Sequence, residues 1–208
     1  MFVENSNSDI SSLLRIVEEA KVTEQVEFIT FDGLDYPVHF WGHGYGDFKC
    51  VDFAMNHSNL ISAQPSNSIV WKITGRYILK NLSQFIAAKP LSFDVYCDFR
   101  TPYFRRGFFQ GKYECNMAIV AWTISGYQTG LQGMYKELIQ HKSEFGEQLM
   151  RDAMERRKKI VNIVSRFTIP TIVEGTGAVY NVDMSSRKSK FKSYIRSVAR
   201  RFIPWLWI

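Results

Sequence analysis

The chain is poor in the features that would classify it at a glance. Of its 208 residues only three are cysteine (Cys50, Cys97, Cys115) and six are proline. An odd number of scattered thiols argues against a disulfide framework and suits a reducing compartment. There is no CxxC and no HExxH, and His39, His43, His57 and His141 form no zinc spacing. No apolar run reaches the roughly 18–20 residues that span a bilayer. Glu4, Asn5, Ser6 and Asn7 follow Met1 too closely for a secretory leader. Internal repeats and low-complexity linkers are also missing.

What is present is an ordinary globular composition, 46% hydrophobic and 22% charged, with formal net charge +6. The charge is unevenly placed. Arg187, Lys188, Lys190, Lys192, Arg196, Arg200 and Arg201 lie together without an acidic residue. The other 19 basic residues face 20 acidic ones, so the body carries −1 and the excess belongs to the C-terminus. A near-neutral body argues against a nucleic-acid-coating surface. The division expected is an α/β domain over 1–183 and a basic tail over 184–208.

Within the body, short strands alternate with helices. Phe2-Val3 reads as the end of a strand. Leu13, Leu14, Ile16 and Val17 give a helical face capped by Asp9 or Ser11, and Val26–Phe31 reads as a second strand. The glycines of Trp41-Gly42-His43-Gly44-Tyr45-Gly46-Asp47 predict a loop that opens a helix over about 48–60, since alternate glycines suit a helix interior poorly. Such a loop serves either tight packing or a phosphate. Strands are expected at 69–74, 91–99 and 117–124, and a long helix at about 134–166 with a break at Gly146. The pattern predicts an α/β domain with a mainly parallel sheet flanked by helices. In such sheets ligands sit at the C-terminal strand ends.

Four segments carry a resemblance: Phe2-Val3-Glu4-Asn5-Ser6, Gly42-His43-Gly44-Tyr45-Gly46-Asp47, Trp71-Lys72-Ile73-Thr74-Gly75-Arg76-Tyr77, and Ile169-Pro170 with Glu174-Gly175-Thr176-Gly177. In this order they resemble the small bacterial and viral glycosyltransferases, with a GT-A-like, Rossmann-like fold, that build capsule and O-antigen polysaccharides. The likeness spans roughly 2–180, and the KxTGRY stretch is its most specific part. It implies a hexosyl- or deoxyhexosyltransferase moving sugar from a nucleotide-sugar donor to a glycan or lipid-linked acceptor. It places Gly44, Gly46, Asp47, Lys72, Thr74, Gly75, Arg76 and Tyr77 at the donor. Lys72 and Arg76 are the cations for the diphosphate, or else a solvated lysine and an internal ion pair. Tyr77 and Trp71 are stacking candidates, with Trp71 the better core residue.

Two departures stand out. The metal-binding D-x-D usual in GT-A enzymes is missing, so dependence on Mn or Mg is open and no metal ligand is assigned. Asp94 and Asp98, four apart on an expected strand, share a face and either support a cation or face solvent. The family's first strand is also short or missing here, which motivates a competing reading as a non-catalytic, transferase-like protein that binds a membrane surface. For an inverting transfer the expected base is Glu137, with His141 one turn on; Asp98 is the second choice.

In the tail, Phe191, Tyr194, Ile195, Val198 and Phe202 form one helical apolar stripe with basic residues between them. Pro204 and Trp205-Leu206-Trp207-Ile208 follow. This composition suits a helix lying in an anionic membrane interface, or one docked on the body. It predicts a peripheral protein at the cytoplasmic face of the inner membrane.

Overall fold

The computed structural model describes residues 1–33, 43–75, 77–100, 114–139 and 146–175, and positions 191, 194, 195, 198 and 202. The architecture is α/β. The N-terminal unit is a β-α-β crossover. β1 (Phe2–Glu4) and β2 (Phe28–Thr30) pair in parallel, Phe2 beside Phe28 and Glu4 beside Thr30, and α1 (Ser11–Glu19) connects them. Asp9 accepts the backbone N–H of Ser11 at 2.9 Å and so orders the entry to α1.

α2 (His43–His57) follows. Its buried residues Tyr45, Phe48, Val51 and Ala54 recur every three positions and lay one stripe on the core. Ser58 ends it by capping α3 (Asn59–Ser62), its side chain accepting from the Ile61 N–H at 3.1 Å. The Glu27 carboxylate also accepts the Asn59 N–H, at 2.8 Å. The helix thus begins at His43, not near Phe48 as the glycine pattern suggests. Gly44 and Gly46 lie inside it. A Cβ on Gly44 would meet Met117 Cε at 3.0 Å and Gly146 Cα at 3.6 Å, so close packing, not loop conformation, explains this glycine.

The central sheet has four strands in the order β3-β8-β5-β9: β3 (Ile69–Ile73), β8 (Ile119–Thr123), β5 (Val95–Tyr96) and β9 (Ile163–Val164). β3 and β5 both run antiparallel to β8; only β5 and β9 are parallel. The mainly parallel sheet expected from the alternating pattern is therefore corrected to a mixed one. Two antiparallel ribbons complete the strands. β4 (Tyr77–Leu79) pairs with β10 (Val173–Gly175), and β6 (Phe99–Arg100) with β7 (Glu114–Cys115).

Both faces of the sheet are covered. Along β8, Ile119 and Ala121 join one cluster with Phe85, Tyr96 and Phe167, while Val120 and Trp122 join the other with Phe48, Val51 and Met150. The first cluster lies under α4 (Leu82–Ala87). The second lies under α2, α5 (Ile124–Gly130) and α6 (Gly146–Arg157). The expected helix over 134–166 is resolved into a 3-10 turn at Met134–Glu137, α6 and strand β9. Asp52 joins the layers by accepting the Tyr127 hydroxyl and the Gly133 N–H. Gly133 has φ +73°, a conformation that favours glycine.

Candidate functional site

A cleft of about 510 Å³ opens between β1, α2 and β3. Its walls are Phe2–Asn5 from β1 and its following turn, Asp47, Cys50 and Ala54 from one side of α2, and Val70–Gly75 from β3 and its end. Trp122 of β8 closes the base.

Strand alternation explains which side chains meet there. Val70 pairs with Trp122 and faces α2; two residues on, Lys72 faces the same way. Its side chain is 11% exposed. The ammonium donates to Asp47 Oδ2 at 2.7 Å, Thr74 Oγ1 at 2.8 Å and the Met117 carbonyl at 2.6 Å. Every one of its three protons thus has an acceptor. Lys72 is therefore not a solvated lysine: it locks the glycine-containing helix to the end of β3. Trp71 points to the opposite face and packs edge-on to Phe85 with ring centroids 5.4 Å apart.

The Glu4 carboxylate accepts the backbone N–H groups of Ser6 at 2.7 Å and Ser8 at 3.0 Å, and the Ser6 hydroxyl. Burial pushes this carboxyl up, but those hydrogen bonds together hold it below its ordinary value. Asn5 accepts the Gly33 N–H through its carbonyl at 2.8 Å, and its side-chain nitrogen lies 3.7 Å from where a Cβ of Gly46 would sit. At Gly75 a Cβ would meet nothing within 4 Å, so the missing side chain leaves that rim open. The Cys50 thiol is pushed up to about 12 by burial and by the charges of Asp47 and Glu4.

The fourth motif segment joins from the side. Gly175 of β10 pairs with Tyr77 of β4, directly after the KxTGRY turn. Lys80 reaches Glu174 at 2.9 Å. Asn81 donates to the Pro170 carbonyl at 3.0 Å and accepts the Ile172 N–H at 2.9 Å.

The structure thus brings Asp47, Lys72, Thr74 and Gly75 to one cleft, with Gly46 beside Asn5 and Tyr77 on the adjoining ribbon. Gly44 instead packs against Met117 and Gly146. Arg76 and His141 lie outside the described residues.

Neither expected base lines the cleft. Glu137 ends a 3-10 turn, where Arg156 binds it at 2.6 Å and Arg157 contributes further bonds. Chiefly through Arg157, opposed by burial and reinforced by Arg156, its carboxyl falls to about 2. Asp98 is buried and accepts the Phe167 N–H at 3.1 Å. Asp94 accepts the Asn162 N–H at 2.8 Å. The expected strand over 91–99 breaks between β5 and β6, and each aspartate fastens the chain flanking β9. The two carboxylates thus each accept a backbone amide, and Asp98 does not face solvent. Among the described residues no group of three or more His, Cys, Asp or Glu side chains could hold a metal.

Cys50 and Trp122 are cleft residues that motif reading passed over. For Cys50 the signal is periodic: Asp47, Cys50 and Ala54 fall at i, i+3 and i+7 once the helix is known to include Asp47.

The fold and cleft define an α/β domain with a mixed sheet and a polar-ended crevice at a strand end. No protein-family model matches the chain, and no curated protein is significantly similar to it.

Proposed function

We propose that the chain is a glycosyltransferase of the hexosyl or deoxyhexosyl class, built on a GT-A-like variant of its α/β fold. It would take a nucleotide-sugar in the cleft between β1, α2 and β3 and transfer the sugar to a glycan or lipid-linked acceptor in surface polysaccharide synthesis. The observation that carries this reading is convergence. Phe2–Asn5 of the first segment, Asp47 of the glycine segment and the Lys72–Gly75 strand end line one cleft, and the Glu174-Gly175 segment pairs with the strand beside it.

Transfer breaks the bond between the anomeric carbon and the diphosphate and forms one to an acceptor oxygen. Charge grows on the leaving diphosphate, and a proton leaves the acceptor. Lys72 acts here as a positioning residue, holding Asp47 and Thr74 at the rim. Arg76, next in sequence to the open Gly75, is the candidate cation for the phosphates. Glu4 and Asp47 are the carboxylates lining the cleft, and the acceptor's proton would pass to one of them.

The test is a panel of nucleotide-sugars incubated with the full chain and membranes, with nucleotide release and sugar incorporation measured. One donor is expected to turn over, and Arg76→Ala to abolish it. Neither turnover nor hydrolysis of any donor by a folded sample would refute the transferase reading. A second reading, binding without transfer, is favoured by one observation: both expected bases, Glu137 and Asp98, are engaged elsewhere. Donor binding without turnover would select it.

A further inference from the structure

Residues 191, 194, 195, 198 and 202 are helical. Their spacing puts Phe191, Tyr194, Ile195, Val198 and Phe202 on one face. Phe191 is 63% exposed, Tyr194 67%, Val198 40% and Phe202 72%. Ile195 is half-buried, and the other four side chains of the face that a docked helix would bury are turned outward. A run of large exposed apolar side chains marks an interaction surface.

Charge identifies what it meets. The sequence from Arg187 to Arg201 carries seven basic residues and no acidic one, and Trp205 and Trp207 follow. α1 also leaves Leu14 and Ile16 exposed, but Glu18 and Glu19 offset its Arg15. Among the described residues, those of the C-terminal segment join outward apolar side chains to a stretch of unbalanced positive charge. An acidic protein groove would satisfy the charge but needs complementary shape. An anionic bilayer needs neither shape nor sequence, and takes rings into its interface while phosphates pair with the cations.

We propose that this helix lies in the interface of an anionic phospholipid bilayer, with Phe191, Tyr194, Val198 and Phe202 inserted and Lys192, Arg196 and Arg200 at the headgroups. The proposal is independent of the chemistry in the cleft. It gives the chain a peripheral position where a lipid-linked acceptor is within reach.

The test is co-sedimentation of the full chain with phosphatidylcholine vesicles, with and without phosphatidylglycerol. Binding is expected to the anionic vesicles, to fall about tenfold or more on neutral ones, and to weaken as salt rises. Phe191→Ser with Phe202→Ser is expected to abolish it, and so is Arg196→Glu with Arg200→Glu. Near-UV circular dichroism of each variant should match the parent, since the stripe is outside the core. Failure to sediment with anionic vesicles overturns the proposal. So does equal binding to neutral vesicles, or undiminished binding by the Phe191/Phe202 variant. Lipid-free self-association that disappears with Phe191→Ser, together with absent vesicle binding, would assign the face to a second copy instead.

Discussion

Replacing Lys72 with methionine isolates the lock at the rim of the cleft. Methionine keeps most of the aliphatic stem but removes the ammonium, which also lies 5.9 Å from the Phe48 ring centroid. Asp47 then loses its cation, and the Thr74 hydroxyl and Met117 carbonyl lose a donor. Removing one partner of a buried ion pair costs about 3–5 kcal/mol. Asp47 is 30% exposed, so water recovers part of its solvation. The expected loss is about 2–3 kcal/mol. In a chain of this size each kcal/mol moves the melting midpoint by about 2–4 °C, so Tm should fall by about 4–12 °C. Adding Asp47→Leu removes the stranded carboxylate and should restore much of that loss, with a coupling of about 1–3 kcal/mol in a double-mutant cycle. Thermal and urea unfolding of the four proteins measure it. A Lys72→Met variant melting within about 1 °C of the parent, or an additive cycle, would refute the lock.

Other expectations follow from the same contacts. Glu137 has a carboxyl lowered from 4.5 to about 2, so its ion pairs with Arg156 and Arg157 stabilise the fold fully above pH 4.5. That contribution is lost as pH falls through about 2. Glu137→Gln should therefore flatten the acid limb of a stability–pH curve; an unchanged limb contradicts the assignment. At Gly44, alanine should be nearly neutral, because the contact at 3.0 Å is the mobile end of Met117. Valine or leucine there should cost about 1–3 kcal/mol by forcing α2 from α6, read by urea unfolding. Cys50 should alkylate slowly at neutral pH, and a bound nucleotide-sugar should slow it further. Cys97 and Cys115 are buried and should react only on unfolding; an early second thiol would contradict the packing.

Local signals were legible where they are self-contained. The polar turn after Phe2-Val3, the apolar face at Leu13–Val17 and the strand around Phe28 define the β-α-β unit, and its two strands pair in parallel. Strand direction was not legible. β8 is apolar on both faces, as buried parallel strands are, yet both its neighbours run antiparallel. Local periodicity holds no information on which distant strand pairs with it. The glycines misled for a related reason: propensity opposes Gly44 in a helix, and its contact with Gly146 is invisible until the chain folds. Asp94 and Asp98 looked like a pair because their partners, the amides of Asn162 and Phe167, lie 68 and 69 residues further on. At the cleft, Asp47, Lys72 and Thr74 were legible as a set through the resemblance. Their bonding was not, because the third acceptor of Lys72 is the Met117 carbonyl, 45 residues away.

Hydrogen–deuterium exchange of the full chain, with and without nucleotide-sugars, tests the central claim most directly. Binding in the cleft predicts slowed exchange in the peptides covering Phe2–Asn5, Asp47–Ala54 and Val70–Gly75 together, with one donor. Protection confined to other segments, or no change with any donor, would contradict it.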